Sequence, residues 1–116
     1  MNSCRTPRYG EVWQANLDPI AGHEQAGTRP VIIVSADPFN QTASRLAIIV
    51  PVTRTDRRNP FHVPIIPPDG GLRHRSFALS EMVRSISTDR LQFRLGKIGR
   101  GAMDEISDRL RILLGL

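Results

Sequence analysis

The chain has almost no cysteine. Cys4 stands alone, so an internal disulfide is excluded, and a cytoplasmic, reducing compartment is the expectation. Its three histidines, His23, His62 and His74, are scattered, and none stands at metal-ligand spacing from another or from Cys4. We therefore expect no catalytic metal and no cofactor. No glycine-rich stretch has the spacing of a phosphate-cradling P-loop. The longest apolar runs, Val31 to Val34 and Leu46 to Val52, fall far short of the ~20 residues a membrane helix needs. Met1 to Arg8 contains no apolar segment of signal-peptide type, so no export is expected. Aromatic residues make up 5% of the chain, few for a module that stacks on many bases. Lysine is nearly absent too: fifteen of the sixteen basic residues are arginine, Lys97 being the exception.

What is present fits one domain of 116 residues with a single core. The net charge is +5, carried by arginines whose planar forks match phosphate oxygens two at a time. A polyanionic partner is one reading of that bias, and a surface made soluble by arginine is the other.

Taken in order, Arg8 to Leu17 reads as a first strand with a bulge near Gly10 or Trp13, ended by Asp18-Pro19. The loop from Pro19 to Thr28, with Gly22 and Gly27, is longer than a hairpin needs, as binding loops often are. Arg29-Pro30 then leads into Val31 to Ser35, a buried second strand by its β-branched run. Asp37 has the look of an N-cap with Pro38 after it, opening one short helical turn. Leu46 to Thr53 is a third strand, and Pro51 places that end of it at an edge or bulge. A basic loop, Arg54 to Pro60, precedes a fourth strand from Phe61 to Ile65. Pro67 to Gly71 is a turn cluster. Short strands follow at Ser76 to Leu79, Val83 to Ser87 and Arg94 to Gly99, with a bend or helical turn near Ser87 to Leu91. From Ala102 the period changes: Met103, Ile106, Leu110, Leu113 and Leu114 form one face of a helix. The expected architecture is mainly β with a C-terminal α-helix, a small and strongly bent antiparallel barrel.

By type alone, an arginine opening a strand is usually an ion-pair or surface residue, and a threonine closing one is structural. A particular combination changes that reading. Gly22-His23-Glu24-Gln25-Ala26-Gly27-Thr28-Arg29-Pro30 followed by Val31 to Ser35, with Pro51-Val52-Thr53 closing the next apolar run, resembles the MazF/PemK-type toxins of toxin–antitoxin pairs. The likeness runs from Tyr9-Gly10-Glu11-Val12-Trp13 through Asp69-Gly70 and Arg84-Ser85-Ile86 to the terminal helix. It implies an SH3-like barrel of the CcdB/PemK toxin type, a homodimer, and metal-independent cleavage of single-stranded RNA. It also implies catalytic roles for Arg29 and Thr53, with Glu24 matching a glutamate implicated in some members. His23 stands where a serine is common and Met82 where a glutamine is frequent, departures that bear on base preference.

The residue types suit that chemistry. RNA supplies its own nucleophile, the 2′-hydroxyl, so the protein need only assist proton transfers and stabilise charge on the phosphoryl oxygens. Arg29 and Thr53 can donate to those oxygens. Arginine, with a pKa above about 12, is a poor acid or base, so Glu24, or His23 beside it, is the more natural titrating group, with Arg29 the third candidate for the proton transfer. His23, Gln25, Thr28, Arg54, Arg57 and Arg58 are the expected RNA-binding residues around them. The expected inhibitor is a cognate antitoxin with an acidic, disordered tail. Two other functions remain open at this level: a non-nucleolytic toxin of CcdB type that binds gyrase, and a basic barrel that holds RNA without cutting it.

Overall fold

The structure is a computed structural model, and it describes residues 6–18, 22–24 and 27–116. Among the described residues seven strands form the sheet: β1 (Glu11–Asn16), β2 (Thr28–Ile33), β3 (Leu46–Thr53), β4 (His62–Ile65), β5 (Ser76–Leu79), β6 (Arg84–Ser87) and β7 (Leu91–Lys97). A single turn of helix, α1 (Asp37–Asn40), joins β2 to β3, and α2 (Arg100–Leu114) ends the chain. The sheet order is β4-β5-β3-β2-β1-β7, with β6 also paired to β3, and the ladders are antiparallel.

Alternation along the strands explains two apolar clusters. Val12, Ile32, Val50 and Val52 face one side, where Val63, Ile65, Ala78 and the helix residues Met103 and Ile106 cover them. Trp13, Ala15, Val31, Ile33 and Ile49 face the other, closed by Leu17, Ala47, Ile86 and Leu91. The unbroken run Val31-Ile32-Ile33 is therefore buried on both faces, each residue at 0% exposure.

β3 is the hub. Its first half, Leu46 to Ile49, pairs with β6, and its last two residues, Val52 and Thr53, pair with β5. Val50 and Pro51 have no ladder partner on that edge, because Ser80–Met82 turns away there as a 3₁₀ turn. A residue without an N–H fits a position where the ladder is interrupted, as expected for Pro51. The first strand also carries the expected irregularity, a register shift against β7 between Val12 and Trp13.

Three expectations need correction. β2 starts at Thr28, so Arg29 lies inside a strand, opposite Ala15 of β1, and the strand ends at Ile33. Pairing with β1 outweighs the local turn character of Thr28-Arg29-Pro30. Asp37 does not cap α1. Ala36 occupies the cap position, and the Asp37 carboxylate instead accepts the Tyr9 N–H at 2.7 Å, tying the helical turn to the start of β1. Finally, the last strand begins at Leu91, three residues before Arg94, because β1 supplies a partner as far back as Ala15.

The segment that precedes β5 is anchored by close backbone approach. Gly71, at φ +71°, lies where a Cβ would fall 2.0 Å from the Leu95 carbonyl oxygen, and one on Gly96 would fall 2.6 Å from Gly70. Only glycines allow the turn to pack on β7 so closely. Helix α2 buries Met103 and Ile106, but Ile112 and Leu114 are 60% exposed, so its last turn extends past the core. Among the described residues no helix is long and apolar enough to cross a membrane.

Candidate active site

β2 and β3 are paired from Val31–Pro51 to Ile33–Ile49 and no further. Continued by two residues, that register would set Arg29 opposite Thr53. The strands part there instead, since β2 goes on along β1 while β3 goes on along β5. The gap is a cleft of about 250 Å³ lined by Thr28, Arg29 and Pro30 from β2, Val52, Thr53 and Arg54 from β3, and Leu72, Arg73, His74 and Ser76 from the segment entering β5.

By strand alternation Arg29 shares the face of Val31, and Thr53 the face of Pro51. Thr53 is buried at 7% exposure, and its Oγ1 accepts the Thr55 N–H at 3.2 Å. That bond folds the start of the basic loop, fixes the hydroxyl oxygen and leaves its proton to donate. Arg29 is half-buried. With Arg54 and Arg73 it brings three guanidinium groups to the cleft, and no carboxylate lines it among the described residues. Ser76 Oγ donates to the His74 carbonyl at 2.9 Å, turning the chain into β5. Guanidinium groups, a hydroxyl and an imidazole in one cleft are residue types that can donate to the oxygens of an anion such as a phosphodiester.

Glu24 and His23 line a second hollow, with Pro51 and the segment Glu81-Met82-Val83-Arg84. There the Glu24 Oε1 lies 3.8 Å from Arg84 Nη1. Thr28 and Arg54 line the first cleft with Arg29 and Thr53, whereas Arg57 and Arg58 lie on the exposed loop and do not line it. That loop is shaped by its own polar groups: Asp56 Oδ1 accepts the Arg58 N–H at 2.9 Å, and Asn59 Oδ1 the Phe61 N–H at 2.8 Å. Gln25 lies outside the described residues.

Residues 8–114 match the family described as PemK-like, MazF-like toxins of type II toxin–antitoxin systems. The chain belongs to that family. Among its relatives, the endoribonuclease MazF9 of Mycobacterium tuberculosis is 36% identical over 114 residues, 94% of this chain and 97% of that protein. The crystal structure of MazF from Deinococcus radiodurans superposes with a TM-score of 0.86 at 28% identity, covering 96% of this chain and 98% of the other. An endoribonuclease from a mycobacterial species, solved in complex with its cognate antitoxin, superposes with a TM-score of 0.76 at 25% identity, covering 100% of this chain and 97% of that one. The toxin fold is therefore this one: an antiparallel sheet with a C-terminal helix.

Within this toxin, sequence reasoning missed three lining residues, Arg73, His74 and Ser76. A signal existed in the basic triplet Arg73-His74-Arg75 just after the Gly70-Gly71 turn. Only the pairing of β5 with the end of β3 brings that segment to Arg29.

Proposed function

We propose that this protein is the toxin of a type II toxin–antitoxin pair and an endoribonuclease that cuts single-stranded RNA, inhibiting translation and growth. The observation that carries the reading is that Arg29 and Thr53 line one cleft where β2 and β3 part, together with Arg54 and Arg73 and, among the described residues, no carboxylate. The scissile phosphate sits between them. Arg29 donates to its non-bridging oxygens and Thr53 Oγ1 adds a neutral donor, so the charge that builds in the transition state meets groups already in place. The ribose 2′-oxygen attacks phosphorus as its proton departs, the bond to the 5′-oxygen breaks, and that oxygen takes up a proton. A 2′,3′-cyclic phosphate and a 5′-hydroxyl result, with no metal needed to generate the nucleophile.

Among the described residues His74 supplies the imidazole lining this cleft, and it performs the proton transfer for which His23 and Glu24 were the favoured choices from the sequence. The protein works in the cytoplasm as a homodimer. Support for the dimer comes from the apolar residues left exposed at the end of α2, Ile112, Leu114 and Leu116 at 60%, 60% and 83% exposure. Its inhibitor is a cognate antitoxin with an acidic tail, as the basic cleft favours and as the antitoxin-bound mycobacterial relative suggests.

Incubation with mixed-sequence single-stranded RNA in EDTA tests the reading. Fragments with cyclic phosphate and 5′-hydroxyl ends are expected. Fragments with 5′-phosphates, or cutting that requires Mg²⁺, would replace this mechanism with a metal-assisted one.

A further inference from the structure

The second hollow sits beside the cleft on the same face of β3. Pro51 and Thr53 are two residues apart on one strand, so their side chains point the same way, about 7 Å apart along it. A strand of RNA whose phosphate rests at Thr53 therefore passes a neighbouring base over Pro51. The hollow holds about 280 Å³, near the lower end of ligand-pocket volumes and fit for one base. Pro51, Met82 and Val83 give it apolar walls, and Glu24, Glu81 and Arg84 give it a charged edge.

In that edge Glu81 and Arg84 are incompletely used among the described residues. His62 Nε2 lies 2.7 Å from Glu81 Oε2, and the imidazole is buried, so one oxygen is held and the other is left to accept. Arg84 Nη1 is buried without a hydrogen bond among the described residues, its ion pair with Glu24 Oε1 being too long at 3.8 Å to supply one. A buried donor left in this state is costly, and a ligand acceptor would relieve it. Ladder geometry fixes its place: Arg84 opposes Ile49, immediately before the stretch of β3 that lacks a partner on this edge.

We infer that this hollow reads a guanine base next to the scissile bond. The inference rests on the ribonuclease reading above. Of the four bases, guanine alone shows on its Watson–Crick edge an acceptor, O6, beside two donors, N1–H and N2–H₂. Arg84 donates to O6, and the carboxylates of Glu81 and Glu24 accept from N1 and N2. Adenine and cytosine each offer one amino donor with ring acceptors facing the carboxylates, and uracil sets two carbonyls around its single donor. The base lies against Pro51 and Met82, a stacking floor that serves any base, so discrimination falls to the charged edge. Glu24 then acts in recognition rather than in proton transfer.

The test maps fragment ends from mixed-sequence RNA, then replaces the shared guanosine by inosine, which removes only the N2 amino group. Guanosine at one fixed position next to the cut is expected, with kcat/KM lower by about tenfold or more for inosine. In Glu81→Gln and Glu24→Gln the ratio of guanosine to inosine should shrink towards one, whereas a catalytic role for Glu24 would lower the rate on both substrates and keep the ratio. Fragment ends without a shared guanosine, or a ratio unchanged in both variants, would overturn the inference. The inosine comparison on the unaltered protein decides the matter should either variant fail to fold. Fluorescence anisotropy with uncleavable 2′-O-methyl oligonucleotides, guanine-containing against adenine-substituted, separates the two claims. Guanine-dependent binding without cutting of any RNA removes the ribonuclease and keeps the guanine site. Cutting without guanine dependence does the reverse, and neither binding nor cutting removes both.

Discussion

The two ends of the β2–β3 pair are chemically opposite. At one end Val31, Ile32 and Ile33 meet Ile49, Val50 and Pro51 in an intact ladder, and the three β2 residues there are wholly buried. At the other, Thr28, Arg29 and Pro30 face Val52, Thr53 and Arg54 across a gap. The same two strands thus provide the core and the site, and the boundary falls where each takes a different outer partner. Zipped residues set the angle at which the free ends diverge. Arg29 and Thr53, held by that angle, need no loop to position them, which suits a site that acts by placing donors in advance.

If this division is right, mutations at the two ends should fail in different assays. Arg29→Ala, at the open end, is expected to lower RNA cleavage by 10² or more with the thermal midpoint almost unmoved, as for loss of one pre-placed donor. Thr53→Ala should likewise reduce cleavage by 10² or more while the protein stays folded, since among the described residues its Oγ1 otherwise holds just the Thr55 N–H. Full activity in either folded variant would remove that residue from the mechanism. Ile32→Ala, at the zipped end, is expected to cost about 2–5 kcal/mol of stability in a denaturant titration, with kcat of the surviving folded protein little changed. A loss of kcat as large as that of Arg29→Ala would show that the two ends are not separable. The smallest effect belongs to the exposed loop: Arg57→Glu with Arg58→Glu should weaken RNA and antitoxin binding together by several-fold, most at low salt. RNA binding lost with antitoxin affinity intact would place the inhibitor elsewhere.

How far the site was legible can be seen residue by residue. Val31-Ile32-Ile33 and the full extent of Leu46 to Thr53 were readable because β-branched runs bounded by breakers have few other uses. The start of β2 was not readable, because Thr28 and Pro30 have turn character and only β1, by pairing with them, makes them strand. Arg29 and Thr53 were singled out by family likeness, whereas their meeting in one cleft depends on a register that spacing does not reveal. Glu24 was grouped with Arg29 by family likeness and His23 as the titrating group beside it, yet both line the second hollow with Pro51. His74 was passed over, being 45 positions from Arg29 by their numbering, although both line one cleft.

The sequence by itself determined the class of the molecule: a short, arginine-rich chain with one cysteine, apolar runs of strand length and one amphipathic terminal helix. These follow from composition and period, which are local properties. Tertiary structure alone decided which residues meet. Ladder register, the exchange of β6 for β5 along β3, and the parting of β2 from β3 arise from hydrogen bonds and burial between segments distant in the chain, and no local pattern encodes them.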